Sequence, residues 1–226
     1  THVDTVGRGS RIGIPETLDW LAGRDRPAPV HLYVTGANQW RHLQSWPPPT
    51  TERPFPLTPG GFTFDPADPT PTVGGPLLEG GGYLDDRRLA ARPDVLTSTG
   101  EPLTEDVEIA GSPIAELIHH SDNPHADLFV RLSEVDARGR SRNVTEGYVR
   151  LDPARDDAAI RLPLLPTAHR FRAGCRIRVL VAGGSHPQYA RNLGTAENPG
   201  TGTKLVPARH TVADGSRLLL PVTDPR

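Results

Sequence analysis

Residues 171–192 read FRAGCRIRVLVAGGSHPQYARN, and their pattern decides the fold. After a turn at Ala173-Gly174, Cys175, Ile177, Val179 and Val181 fall on one face, with Arg176 and Arg178 on the other. A period of two, rich in β-branched residues, is the signature of a strand with one buried face. The strand runs into Gly183-Gly184 and then a loop, SHPQYARN, dense in hydrogen-bonding groups. A core strand that delivers a polar loop is a common way to place function on a rigid scaffold.

The rest of the composition suits one large β domain, or one domain with a small appendage. Hydrophobic residues make up 35% of the 226, which with glycine is enough for a substantial core. Glycine (23) and proline (25) exceed ordinary usage without reaching the low-complexity range, so many turns are expected. The net charge is −2 with acids and bases interspersed, which favours neither nucleic acid nor an anionic membrane surface. Cys175 is the only cysteine, so no intrachain disulfide can form, and its place on the apolar face predicts a buried, inert thiol. No apolar run approaches the ~18 residues that span a bilayer, and the amino end lacks a signal-peptide pattern. The cytoplasm is therefore the expected compartment. There is no methionine, and a chain that opens Thr1-His2 reads as a processed product or a fragment.

Taken in order, residues 14–24 carry a short helical pattern, with Pro15 suited to a first helical position and Leu18 and Leu21 on one stripe. VHLYVTG follows as a strand, Val30, Leu32 and Val34 facing one way and His31, Tyr33 and Thr35 the other. Residues 47–61 are dense in proline and read as linker or extended coil. Asp-Pro turns follow at 65–66 and 68–69. From Asp94 onward the pattern is uniformly β, with strands expected at 94–99, 105–111, 113–120, 126–135, 142–151, 159–164, 175–182, 203–206 and 216–222. Many short strands with no intervening helical pattern predict an antiparallel sandwich or jelly roll.

Several candidate sites have a plain structural alternative. Ser185 stands in Gly183-Gly184-Ser185-His186-Pro187, but a nucleophile elbow needs glycine where Pro187 stands and a helix afterwards. A loop held by local hydrogen bonds is the better reading. The run His119-His120-Ser121-Asp122-Asn123-Pro124-His125-Ala126-Asp127 has metal-ligating atoms, yet on a strand His119 and His120 point to opposite faces. Asp65 and Asp68 lack the spacing of a calcium loop and read as turn formers. Asn143-Val144-Thr145 matches a glycosylation acceptor but sits inside an expected strand. Trp20, Trp40 and Trp46 could form a sugar-stacking platform, which keeps a carbohydrate-binding jelly roll as the alternative function. The favoured reading packs them in a seam between two domains.

Four ordered blocks then carry a family resemblance. PVHLYVTGANQWRHLQSWP, FDPADPTPTVGG, GGYLDDRRLAARPDVLTSTGEPLTEDVEIAGSP and AGCRIRVLVAGGSHPQYARNLGT resemble the carboxyl-terminal part of CocE/NonD-type serine hydrolases. That family includes cocaine-esterase-like enzymes, X-Pro dipeptidyl-peptidases and α-amino-acid ester hydrolases. The resemblance implies a galactose-binding-like jelly roll at 62–226, a terminal remnant of an α/β-hydrolase domain at 1–46 and a linker at 47–61. It implies that the nucleophile lies in an upstream α/β-hydrolase domain accompanied by a cap domain. The substrate would be a small ester, amide or peptide, and no cofactor or metal is implied. In the family the catalytic histidine ends a Gly-Pro-Trp-(Ser/Thr)-His stretch ahead of a helix and the last hydrolase strand, so the resemblance assigns His2 as general base. The segments 3–29 and 47–61 are shorter than the family's, the second lacking a strand the family has there. A homo-oligomer is left open.

Overall fold

The computed structural model describes residues 9–24, 28–77, 79–155 and 158–223. The strand expected in the opening stretch is β12 (Arg176–Ala182), with Ile177, Val179 and Val181 in the main core. It lies inside a four-stranded antiparallel sheet of order β5 (Val95–Thr99), β12, β8 (Asp127–Val135), β9 (Ser141–Arg150). Leu128, Val130 and Leu132 of β8 point into the same core. The opposite face of this sheet is also buried: Phe129, Leu180 and Ala182 pack under Leu89 of α2 (Arg87–Ala90). Burial on both faces explains why LFV and VLVA read as continuous apolar runs rather than strict alternation.

The facing sheet is built from strands broken in mid-length. β3 (Thr50–Pro56) and β4 (Gly60–Phe64) pair with β14 (Arg217–Thr223) and β13 (Ala208–Val212), respectively. β6 (Val107–Gly111) and β7 (Ile114–Ser121) pair along the other edge of β14 and β13. β11 (Thr167–Phe171) and β10 (Ala159–Pro163) complete the sheet on β6 and β7. Pro59, Pro113 and Pro166 stand at three of the breaks, where a residue without an N–H interrupts the ladder. Counting each broken pair as one long strand, the chain order 1-8-3-6 faces 2-7-4-5, which is the jelly-roll connectivity. Mainly β, antiparallel and jelly roll is thus the observed architecture.

Some expectations fail for identifiable reasons. Residues 47–61 are not linker, because β3 and β4 lie within them. Pro54 and Pro56 alternate along β3, so both missing N–H groups fall on the same edge, away from β14, while Phe55 packs against the core. An edge strand is where a sheet tolerates proline. The shortfall of a strand expected in this span is therefore also overturned. Residues 203–206 are not a strand; the Thr203 and Lys204 amides donate to the Glu197 carboxylate instead. β11 and β13 were not expected: TAHRF and ARHTV carry histidine and arginine among their apolar residues. The first helix, α1, spans Gly9–Leu21 and contains Pro15 rather than starting at it. Cys175 precedes β12 and is half-buried rather than buried, with burial and then the Glu134 charge pushing its thiol pKa up. That environment disfavours a thiolate.

Candidate interdomain face

The N-terminal hairpin pairs β1 (Val30–Val34) with β2 (Gln39–Leu43) in the register Val30↔Leu43 to Val34↔Gln39. Alternation sends Leu32 and Val34 inward against Ala110 and Ala168. It sends His31, Tyr33, Trp40 and His42 outward. Across the strands, the His31 and His42 rings meet edge to face at 4.4 Å and those of Tyr33 and Trp40 at 5.4 Å. These four rings form a cross-strand ladder on the outer face.

The hairpin is fastened to the jelly roll by its backbone. The Thr35 amide donates to Ala168 O (3.1 Å) and the Arg170 amide to Thr35 O (2.8 Å), so Thr35 extends the free edge of β11. Gly36 follows with φ +77°, and a Cβ there would collide with the Arg170 carbonyl oxygen. Arg172 donates to Gly36 O, while Arg41 and Arg170 converge on Glu108.

A second element reaches the same side. Residues 73–77 and 79–84 arch over β9, held from below by a buried ion pair. Arg131 and Glu146 are fully buried cross-strand partners, Arg131 Nε donating to Glu146 Oε2 at 3.0 Å. Arg131 also donates to Val73 O (2.6 Å), and Gln188 donates to Glu146 Oε1 (2.8 Å). A Cβ on Gly75 would sit 2.7 Å from the Glu146 carboxylate, so the chain can pass there only as glycine. Asn143 donates to Gly82 O and accepts from the Leu84 amide. Its amide is consumed by the arch, which leaves the glycosylation match without an available acceptor. The arch presents Tyr83, whose phenol meets Thr35 and lies beside Tyr33; burial of that end pushes its pKa up although half the side chain is exposed. Leu165 lines the same hollow as Tyr83. Tyr33 (41% exposed), Trp40 (47%), Tyr83 (49%) and Leu165 (41%) thus make a semi-apolar face on rigid supports. On α1, Leu18 and Leu21 are exposed as well, as is Trp20.

His2 lies outside the described residues. Ser185 is buried and hydrogen-bonded to Thr72 (3.0 Å), within a loop locked by Thr72 N to His186 O and His186 N to Thr70 O. Tyr189 stacks on Tyr148 at 4.0 Å, Arg191 donates to Pro66 O, and Asn192 donates to Asp127. The loop after β12 is therefore a clasp between the jelly roll and residues 66–72. The tryptophans do not fill the seam within the chain, which small residues close.

The metal-like run is dispersed as its strand geometry predicts. His119 is buried and His120 exposed, and no group of three or more metal-ligating side chains occurs among the described residues. His119 Nε2 instead meets His210 Nδ1 at 3.0 Å, and His210 stacks on Phe62. Burial lowers both pKa values, to about 3 for His119 and about 4 for His210. The unfolded chain then binds protons below about pH 6.5 that the folded pair refuses, so this contribution is intact above pH 6.5 and is lost as pH falls towards 4. With two sites, stability should fall by up to about 3 kcal/mol per pH unit in that window. His119→Gln should reduce the slope measured by urea denaturation between pH 7 and 5; an unchanged slope would contradict the assignment.

Comparison with known proteins adds a sequence relationship. A family model described as X-Pro dipeptidyl-peptidase C-terminal non-catalytic domain matches residues 22–218. The chain is 32% identical over 215 residues to cocaine esterase of Rhodococcus sp. strain MB1 Bresler, covering 78% of this chain and 37% of that protein. It spans less than two fifths of the length of the curated relatives it matches. Among solved structures, an aminopeptidase from a marine sediment Thaumarchaeota archaeon superposes with TM-score 0.79 at 24% identity, over 98% of this chain and 45% of that one. An α-amino acid ester hydrolase superposes with TM-score 0.76 at 25% identity, over 86% of this chain and 41% of that one.

Proposed function

The chain belongs to the X-Pro dipeptidyl-peptidase C-terminal non-catalytic domain family, the carboxyl-terminal part of CocE/NonD-type hydrolases, and from that premise we propose that it braces the catalytic domain of a serine hydrolase. The parent cleaves small ester, amide or peptide bonds through an acyl-enzyme. Its nucleophile and acid lie upstream, and His2 serves them as general base. The 226-residue chain alone is inactive, because a histidine without a nucleophile or oxyanion donors has nothing to activate.

The observation that carries this reading is the ring-bearing face of the hairpin and arch. It lies on the β1–β2 hairpin, and nothing else among the described residues covers it. Large aromatic side chains on preorganised supports are the usual anchors of a buried interface. The alternative, a carbohydrate-binding module, is less well served, because the Tyr33 and Trp40 rings meet at 64° and share no flat platform.

Hydroxyl-radical footprinting of this chain and of the longer protein tests the face. Tyr33, Trp40, Tyr83 and Leu165 should oxidise in the isolated chain and be protected in the longer protein, whereas Ile118, exposed elsewhere on β7, should be unaffected. Equal oxidation of the face in both would remove the interdomain reading. Saturable changes in Trp fluorescence with soluble glycans would favour the alternative.

A further inference from the structure

The His169 side chain ties together the hairpin and both sheets of the jelly roll. It lies on β11 and is buried, its ring edge to face with Phe171 at 4.6 Å. Its Nε2 lies 3.2 Å from Glu134 Oε2 on β8, in the opposite sheet. Its Nδ1 lies 2.8 Å from the Thr35 hydroxyl at the end of β1. That same hydroxyl lies 3.0 Å from Ala168 O.

A hydroxyl has one proton, and besides the Tyr83 phenol two acceptors, His169 Nδ1 and Ala168 O, stand in reach of this one. With a neutral imidazole, Nε2–H donates to the Glu134 carboxylate and Nδ1 accepts the Thr35 proton, so Ala168 O receives nothing from the side chain. With an imidazolium, Nδ1–H donates to the Thr35 oxygen, and the hydroxyl turns to donate to Ala168 O. Nε2–H then makes a charge-assisted bond to Glu134. The charged ring therefore supports three hydrogen bonds across the seam where the neutral ring supports two.

We propose that Thr35–His169–Glu134 is a proton-operated latch that holds the hairpin more firmly to the jelly roll when His169 is charged. The groups facing it are Glu134 from β8, Thr35 and Gly36 from the hairpin, and Phe171 on its own strand. On the hairpin side the Arg172 guanidinium is engaged by Gly36 O, and the Tyr83 phenol meets Thr35. Glu134 is thus the carboxylate that the ring nitrogen Nε2 faces. The latch acts within the chain and does not depend on what the longer protein hydrolyses.

Amide hydrogen exchange on the 226-residue chain tests it at the two bridging amides, Thr35 and Arg170. Corrected for intrinsic rates, their protection should rise about tenfold as pH falls from 7.5 to 5, the size of one added hydrogen bond. In His169→Asn, which cannot be charged, the rise should disappear. Flat or falling protection in the native chain, or an undiminished rise in His169→Asn, would overturn the proposal. Should that variant not fold, ¹⁵N shifts of the native His169 ring decide: both nitrogens protonated at pH 5 supports the latch, and a ring neutral throughout refutes it.

Discussion

Replacing Arg131 by alanine should destabilise the domain by about 3–5 kcal/mol, because it strands a carboxylate inside the protein. Arg131 and Glu146 are 0% and 1% exposed, so water cannot substitute for the lost guanidinium. Glu146 would keep only Gln188 as donor, and Val73 O would lose the bond that ties down the start of the arch. In a domain of this size the melting temperature should fall by about 10 °C. The paired replacement Arg131→Met with Glu146→Leu removes both charges and should cost much less, since apolar side chains of similar volume commonly replace a buried ion pair without loss. Calorimetry on the three proteins measures both effects. A single-variant loss under about 1 kcal/mol would mean that solvent reaches the pair. The arch should loosen with it, raising oxidation of Tyr83 before the domain unfolds.

In the longer protein, His2→Ala should lower kcat on p-nitrophenyl acetate by about 10⁴-fold or more, leaving the melting temperature unchanged. A triad acts as a unit, so losing the base costs nearly as much as losing the nucleophile. KM should change little, since the base acts on the bond-making step rather than on substrate binding. A kcat within tenfold of the parent would place the general base elsewhere. This expectation rests on the position of His2 in the sequence, ahead of a helix and the strand of β1.

The jelly roll was legible where one face is apolar and the other is not. The alternation in β12 and the β8–β9 hairpin with its turn at 136–140 both follow from local pattern. Less legible were strands whose reason for existing is remote. β3 is a strand because β14 lies beside it and its prolines face outward, and proline content alone argued the reverse. β11 and β13 contain His169 and His210, polar residues that become tolerable inside only when Thr35, Glu134 or His119 arrives from elsewhere in the chain. The ring ladder of the hairpin could have been found: Tyr33 and Trp40 flank the Gly36-Ala37-Asn38 turn in hairpin register, a cue in the spacing itself. The arch could not, because Gly74, Gly75 and Gly81 acquire meaning only against Glu146 and the backbone they approach.

The most direct test of the account is to treat this 226-residue chain and the longer protein with a fluorophosphonate probe under the same conditions and locate the label by mass spectrometry. The account predicts no stoichiometric labelling of the chain and one labelled serine upstream of Thr1 in the longer protein. Stoichiometric labelling of a serine within residues 1–226, Ser185 included, would contradict it.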